Sequence, residues 1–259
     1  MTEVAVTEAL GESLSPSQVS TYMTCPAKWY FRYLVGLSEP TTGVLALGKA
    51  FHATLARNFR QKASTGRDME SQELREVFAD EWSSAIEDAA LRDGEDEDEL
   101  ATTGQILIAA YVAEAAGPLL PHAVEQTVQG EIAGVKVRGI VDLLDTEGRV
   151  IDFKTASKRP NGLSAEHSLQ LTTYAMITPG ASGLCRLDTV TKTKTVQVIQ
   201  QSYQVGAEAR RFAEILYPMV QESIQDGIYP PHRSSPMCSR RYCGYWRECE
   251  REFGGRVAE

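Results

Sequence analysis

Hydrophobic and polar positions along the chain change period several times, and each change marks a predicted element. From residue 43 to 63, Leu47, Phe51, Leu55 and Phe59 recur every fourth position, which predicts a helix with one apolar stripe. Gly48 and His52 share a face of that helix. A glycine inside a helix costs about 1 kcal/mol against alanine, so a closely packed neighbour is expected at Gly48. Upstream, Ser15-Pro16-Ser17-Gln18 has the form of a helix start: a serine cap, proline at the first helical position and glutamine three residues after the cap. Pro26 should split the aromatic-rich stretch that follows into two short helices, with Cys25 at the joint. Residues 71–91 and 100–116 read as two further helices joined by an acidic run. Residues 165–177 and 207–225 have helical periodicity as well, and the first of these places Gln170 and Tyr174 four residues apart on one face.

Between these helices the period shortens to two. Residues 124–132 alternate as a strand, Ala133-Gly134 turns the chain, and residues 135–155 (VKVRGIVDLLDTEGRVIDFKT) read as a β-hairpin around Thr146-Glu147-Gly148. The sheet therefore has at least three antiparallel strands, and residues 183–190 and 194–201 add strands later. If Asp145 faces Arg149, counting back along both strands sets Asp142 opposite Asp152, and period two puts Lys154 on the same face. Two opposed carboxylates repel unless a cation lies between them, so a divalent metal beside Lys154 would remove the conflict. An exposed hairpin with ordinary surface charges fits the same pattern. Glu131 is near enough to be a further acidic candidate, and His167 lies one turn before Gln170.

Composition narrows the field. At 259 residues, 42% hydrophobic and 24% charged, the chain has the make-up of an ordinary soluble globular protein, large enough for one substantial core or for a core with a helical insertion. No apolar run approaches the roughly 20 residues that span a bilayer, and the acidic first 13 residues lack a signal pattern; they read as a disordered tail on a cytoplasmic protein. The net charge of −9 argues against a surface coated in nucleic acid. Six acids crowd into 93–99, however, while Lys154, Lys158 and Arg159, or Arg240, Arg241 and Arg247, form basic groups, so a local basic channel fits the sequence.

Five cysteines in a chain without an export signal point away from a disulfide framework. Cys238, Cys243 and Cys249 crowd near the C-terminus in the manner of metal ligands. Cys185 lies within a predicted strand and reads as a buried apolar thiol.

The order of these elements resembles the RecB-like branch of the PD-(D/E)xK nuclease superfamily, and more narrowly its iron–sulphur members: the AddB nuclease domain and the CRISPR-associated adaptation nucleases. Residues 14–37 are similar to the family's opening helix with its first cysteine. Gly48 to His52 matches its Gly-to-His helix motif. Gly139-Ile140-Val141-Asp142 and Asp152-Phe153-Lys154 match its two acidic motifs, and Gln170 to Tyr174 its Gln-to-Tyr helix motif. The resemblance implies an α/β fold with a mixed sheet flanked by helices, one nuclease domain over 14–259, and a helical insertion over about 64–120 that shapes a cleft or lid. It further implies an N-/C-terminal iron–sulphur staple whose late cysteines fall within 238–249.

The resemblance also implies roles. Asp142, Asp152, His52 and the Phe153 backbone carbonyl would hold Mg²⁺ or Mn²⁺. Lys154 would position the attacking water or offset phosphate charge, and Gln170 and Tyr174 would orient substrate or Lys154. Cys25, Cys238, Cys243 and Cys249 would ligate a 4Fe–4S cluster. The commoner late spacing is Cys-x2-Cys-x5-Cys, whereas four residues separate Cys238 from Cys243, which leaves Zn²⁺ as a competitor at the four thiolates. The implied activity is metal-dependent exonucleolytic cleavage at DNA ends or single strands, with a helicase or CRISPR adaptation proteins as partners. Two alternatives are a catalytically silent DNA-binding or scaffold subunit of a recombination or CRISPR adaptation complex, and a zinc-stapled nucleic-acid-binding protein.

Overall fold

The computed structural model describes residues 13–259, so all but the last residue of the expected N-terminal tail lies outside the described residues. Two compact units are each assembled from separate stretches of chain: 41–128 with 140–206, and 13–40 with 129–139 and 207–259. Among the described residues no helix is long and apolar enough to cross a membrane.

The first of these units carries most of a mixed five-stranded sheet of order β1-β2-β3-β4-β5. The strands are β1 (Pro121–Ile132), β2 (Val135–Asp145), β3 (Val150–Ala156), β4 (Leu184–Thr191) and β5 (Val198–Gln204). β2 and β3 pair antiparallel with Leu143 opposite Ile151 and Leu144 opposite Val150, which one step further on sets Asp142 opposite Asp152, as the turn chemistry predicts. That turn closes with Gly148 at φ 73, where any Cβ would come within 2.4 Å of the Gly180 carbonyl oxygen. The buried Asp145 carboxylate accepts the Glu147 and Arg149 N–H groups at 3.0 and 2.8 Å, satisfying turn donors that the ladder leaves unpaired. β4 then pairs parallel to β3, which makes the sheet mixed, as the resemblance implies. A parallel pair needs a long crossover, and the helix at Ala165–Ile177 supplies it. β5 begins four residues later than predicted because Thr191 and Thr193 spend their hydroxyls on the turn before it.

Three helices build a core beside this sheet, two of them against its strands and the Ser71–Ile86 helix against those two. α3 (Gly43–Thr65) buries Leu47, Phe51, Leu55 and Phe59 completely. Thr42 caps its start, and the Glu95 carboxylate accepts the Gly43 and Val44 N–H groups at 2.9 and 3.3 Å, which gives one acid of the acidic run a structural job. α4 (Ser71–Ile86) and α5 (Glu97–Tyr111, continued by a π-helical turn Val112–Ala116) add Phe78, Trp82, Leu107 and Tyr111 to the same core. Phe59 stacks on Phe153 of β3 at 5.7 Å, and Tyr111 meets Phe153 edge-on at 5.3 Å. Such pairs add about 0.5–1.5 kcal/mol each beyond burial, and here they fix β3 against α3. The close packing expected at Gly48 occurs instead at Gly104, where a Cβ would meet the Phe78 ring at 2.0 Å; nothing lies within 4 Å of where one would start at Gly48.

In the other unit, α1 (Pro16–Thr24) and α2 (Pro26–Trp29, continued by a π-helical turn Tyr30–Leu34) break at Cys25, as Pro26 dictates. Trp29 stacks on Tyr229 at 5.8 Å, and Tyr22 donates to the Ile228 carbonyl at 2.6 Å. The helices α7 (Ala207–Gln225) and α8 (Trp246–Phe253) complete it. Glu39 joins the two ends of the chain within this unit, pairing with Lys28 at 2.9 Å and accepting the Gly244 N–H at 2.9 Å.

Candidate active site

Three elements of the sheet-bearing unit bring the predicted residues together: α3 with His52, the β2–β3 hairpin with Asp142, Asp152 and Lys154, and α6 (Ala165–Ile177) with Gln170 and Tyr174. His52 Nδ1 lies 3.3 Å from Asp142 Oδ2, and the same Asp142 oxygen accepts the Phe153 N–H at 2.8 Å. Burial alone disfavours the His52 imidazolium, but the Asp142 carboxylate outweighs it and raises the His52 pKa. Burial likewise opposes the Asp142 charge, and His52 together with Lys154 and the Phe153 N–H holds that carboxyl below its usual range.

Asp152 is the opposite case. It is 2% exposed, and burial with the facing Asp142 charge pushes its carboxyl up to about 6 against the pull of Lys154. Its partners are the Lys154 ammonium, in an ion pair, and the Gln170 amide, which donates from Nε2 to Asp152 Oδ1 at 3.0 Å. Gln170 Nε2 also lies 3.3 Å from the Tyr174 hydroxyl oxygen, and burial takes the Tyr174 hydroxyl up to about 12. Gln170 thus links Asp152 to Tyr174. Burial would lower the Lys154 pKa, but the two aspartates raise it, so its charge is secure.

One candidate residue escapes the sequence reading. Glu125 of β1, not Glu131, joins His52 and Asp142, with one ligand atom from each of the three all within 4.8 Å of one another. Glu125 has φ 50, a left-handed backbone in the middle of a strand that costs a non-glycine residue about 1–3 kcal/mol. Exposed and buried positions alternate cleanly from Thr127 to Ile132 and lose the alternation at Val124–Gln126. A positive φ is invisible to periodicity, so strict alternation misplaces this side chain. Carboxylates with an imidazole are a donor set suited to a divalent cation, which would also relieve the repulsion between Glu125 and Asp142 that, after burial, raises the Glu125 pKa.

These groups open into a groove of about 770 Å³. Lys49, Arg57 and Arg60 of α3 supply cations to it, as do Lys154 and Lys192, while Val44, Leu45 and Ile140 present apolar side chains 40%, 57% and 51% exposed. The groove cations are scattered in sequence and differ from the basic groups that the sequence displays, apart from Lys154. Glu81 of α4 lines the groove and pairs with Arg57 at 3.3 Å, so the helical insertion contributes both core and wall.

The other unit gathers the four predicted cysteines. Cys25, Cys243 and Cys249 share a small cluster with Ala27, Phe31 and Tyr245. Burial, and then the neighbouring Cys25, Cys243 and Cys238, push the Cys249 thiol up to about 11 despite Arg233. Cys185 is buried elsewhere, its Sγ 3.6 Å from the Leu171 carbonyl oxygen.

Comparison with known proteins follows the same lines. The sequence model of the PD-(D/E)XK nuclease superfamily matches residues 13–250. A solved structure described as a "putative exonuclease" from Eubacterium rectale superposes with a TM-score of 0.58 at 14% identity, covering 88% of this chain and 87% of that one. Another solved structure, SSO0001, aligns at 15% identity over 81% of this chain and 85% of its own, with a TM-score of 0.35. No curated protein sequence matches the chain.

Proposed function

The chain belongs to the PD-(D/E)XK nuclease superfamily, and from that premise we propose that it is a divalent-metal-dependent deoxyribonuclease acting at DNA ends or on single strands. The observation that carries this reading is the convergence of His52, Glu125 and Asp142 beside the Asp152–Lys154 pair at the floor of a cation-lined groove. His52, Asp142 and Asp152, with the Phe153 carbonyl and with Glu125 as an added ligand, are the groups to hold Mg²⁺ or Mn²⁺. A divalent cation there supplies a water of lowered pKa and a counter-charge for the phosphate. Lys154, kept charged by Asp152, offsets negative charge that develops on the phosphate as the new P–O bond forms. Gln170 holds the Asp152 carboxylate in place. Lys49, Arg60 and Lys192 neutralise flanking phosphates, and Val44, Leu45 and Ile140 offer apolar contact to unpaired bases, which a duplex would keep stacked inside. The E. rectale neighbour's description as an exonuclease supports attack from an end.

The four gathered cysteines support a 4Fe–4S cluster, which would staple Cys25 to the C-terminal segment within one unit; four thiolates also suit Zn²⁺, the alternative occupant.

The deciding experiment is cleavage of end-labelled single-stranded DNA by anaerobically purified protein with Mg²⁺ or Mn²⁺, beside Asp152→Ala. Cleavage lost in the variant is expected. Wild-type protein that is loaded with iron yet cuts neither single nor double strands would instead favour the silent DNA-binding subunit.

A further inference from the structure

The active-site groove leaves the arginines of the cysteine-bearing segment unused. From His232 to Arg247 the sequence HRSSPMCSRRYCGYWR holds four arginines and no acid, inside a protein of net charge −9, and not one lysine occurs from there to the end of the chain. Two of the four are committed within the fold. Arg233 donates from Nη2 to the Gly254 carbonyl at 2.8 Å and to that of Cys249 at 3.4 Å. Arg240 rests 4.6 Å from the Trp246 ring centre and pairs with Glu250 at 3.5 Å.

Arg241 and Arg247 are different. Both are exposed, and among the described residues neither is within ion-pair distance of a carboxylate. Each lies against an aromatic ring: Arg241 at 5.4 Å from the Tyr242 ring centre, Arg247 at 5.0 Å from that of Trp246. A guanidinium that uses its face on an aromatic ring keeps its N–H edge for a second partner, and that edge matches phosphate bidentately. The Tyr242 side is itself open, at 44% exposure. A free arginine edge beside an exposed aromatic ring, as at Arg241 and Tyr242, is the chemistry of sequence-independent strand binding, where phosphates meet cations and bases meet rings. An acidic protein surface would use the arginines but leave the Tyr242 ring without a role.

We propose that residues 240–247 form a second nucleic-acid-binding surface, in which Arg241 and Arg247 hold the phosphate backbone of a single DNA strand and Tyr242 offers a base-stacking platform. The proposal rests on the nuclease reading only in taking DNA as the ligand. It is tested with full-length, anaerobically purified protein carrying Arg241→Glu and Arg247→Glu together, by fluorescence anisotropy of a labelled single-stranded oligonucleotide without divalent metal. Affinity should fall more than tenfold, and the slope of log K against log salt should shrink by about 1.4, two phosphates at about 0.7 each. Cleavage of bis(p-nitrophenyl) phosphate, a single diester with no strand for the arginines to hold, should be unchanged with Mn²⁺. The companion Arg241→Lys, Arg247→Lys protein keeps the charges and should keep most of the affinity and the full salt slope. Unchanged affinity and slope in the charge-reversed protein would overturn the proposal. So would loss of DNA binding together with loss of small-diester cleavage in both double variants, because the arginines would then be structural. If wild-type protein cleaves neither substrate the nuclease reading fails, and the anisotropy comparison still decides the surface.

Discussion

His52 Nδ1 lies 3.3 Å from Asp142 Oδ2, which joins the apolar-striped helix to the acidic hairpin at one point. The imidazole is the softest of the proposed metal donors and as a ligand would favour Mn²⁺ over Mg²⁺. His52→Ala should therefore weaken Mn²⁺ binding by at least tenfold and reduce the preference for Mn²⁺ over Mg²⁺, measured by isothermal titration calorimetry. Equal affinities for wild type and variant would remove His52 from the ligand set.

Lys154 is in ion-pair contact with Asp152 on the strand that carries both. Lys154→Ala should lower single-turnover cleavage by at least about 100-fold, the scale for losing one preorganised charge at a developing oxyanion. Binding of uncleaved single-stranded DNA should stay near normal, since the groove keeps Lys49, Arg57, Arg60 and Lys192. Retained cleavage would take Lys154 out of the mechanism.

Glu125 accepts a strained backbone at φ 50. Glu125→Gly removes both the strain and the carboxylate, so metal-free protein should gain about 1 kcal/mol of stability while metal affinity drops. Thermal unfolding in EDTA and a Mn²⁺ titration check the two halves. A variant that is less stable and binds metal as well as wild type contradicts the assignment.

Asp152 carries a carboxyl raised to about 6 by burial and by Asp142. Below that pH it is protonated and cannot serve as an anionic ligand; above it, the charge is present. Metal affinity should rise through about pH 6 as Asp152 ionises, and rise further until His52, whose pKa the Asp142 carboxylate raises, gives up its proton. In Asp152→Asn the limb near pH 6 should vanish and the His52 limb should remain. A wild-type profile already flat from pH 4.5 upward would show that Asp152 is ionised throughout.

Cys243 sits with Cys25 and Cys249 in one small cluster. Cys243→Ser should lower soluble yield and iron content together, read by iron analysis and visible absorbance of anaerobic protein. A variant as soluble as wild type, from a wild type that carries no iron, would sink the cluster. Zinc in stoichiometric amount would return the site to zinc.

The sequence by itself determined what local rules determine. The four-residue apolar repeat of Leu47, Phe51, Leu55 and Phe59 specified α3, Pro26 specified the break at Cys25, and the Gly148 turn specified a register that sets Asp142 across from Asp152. Tertiary structure decided what depends on distant chain meeting. The parallel pairing of β4 with β3 follows from the crossover helix α6, which strand patterns do not encode. Gly48 faces open groove because of what fails to pack there, and Gly104 is tight because of Phe78, neither of which helical spacing can show. Glu125 reaches the site through a single backbone dihedral of the wrong sign for its residue type, and the groove cations converge from α3 and β3 and from Lys192 beyond β4. Period and turn chemistry act over a few residues, whereas a metal site and a charged groove are sums over chain that only the packed core brings into range.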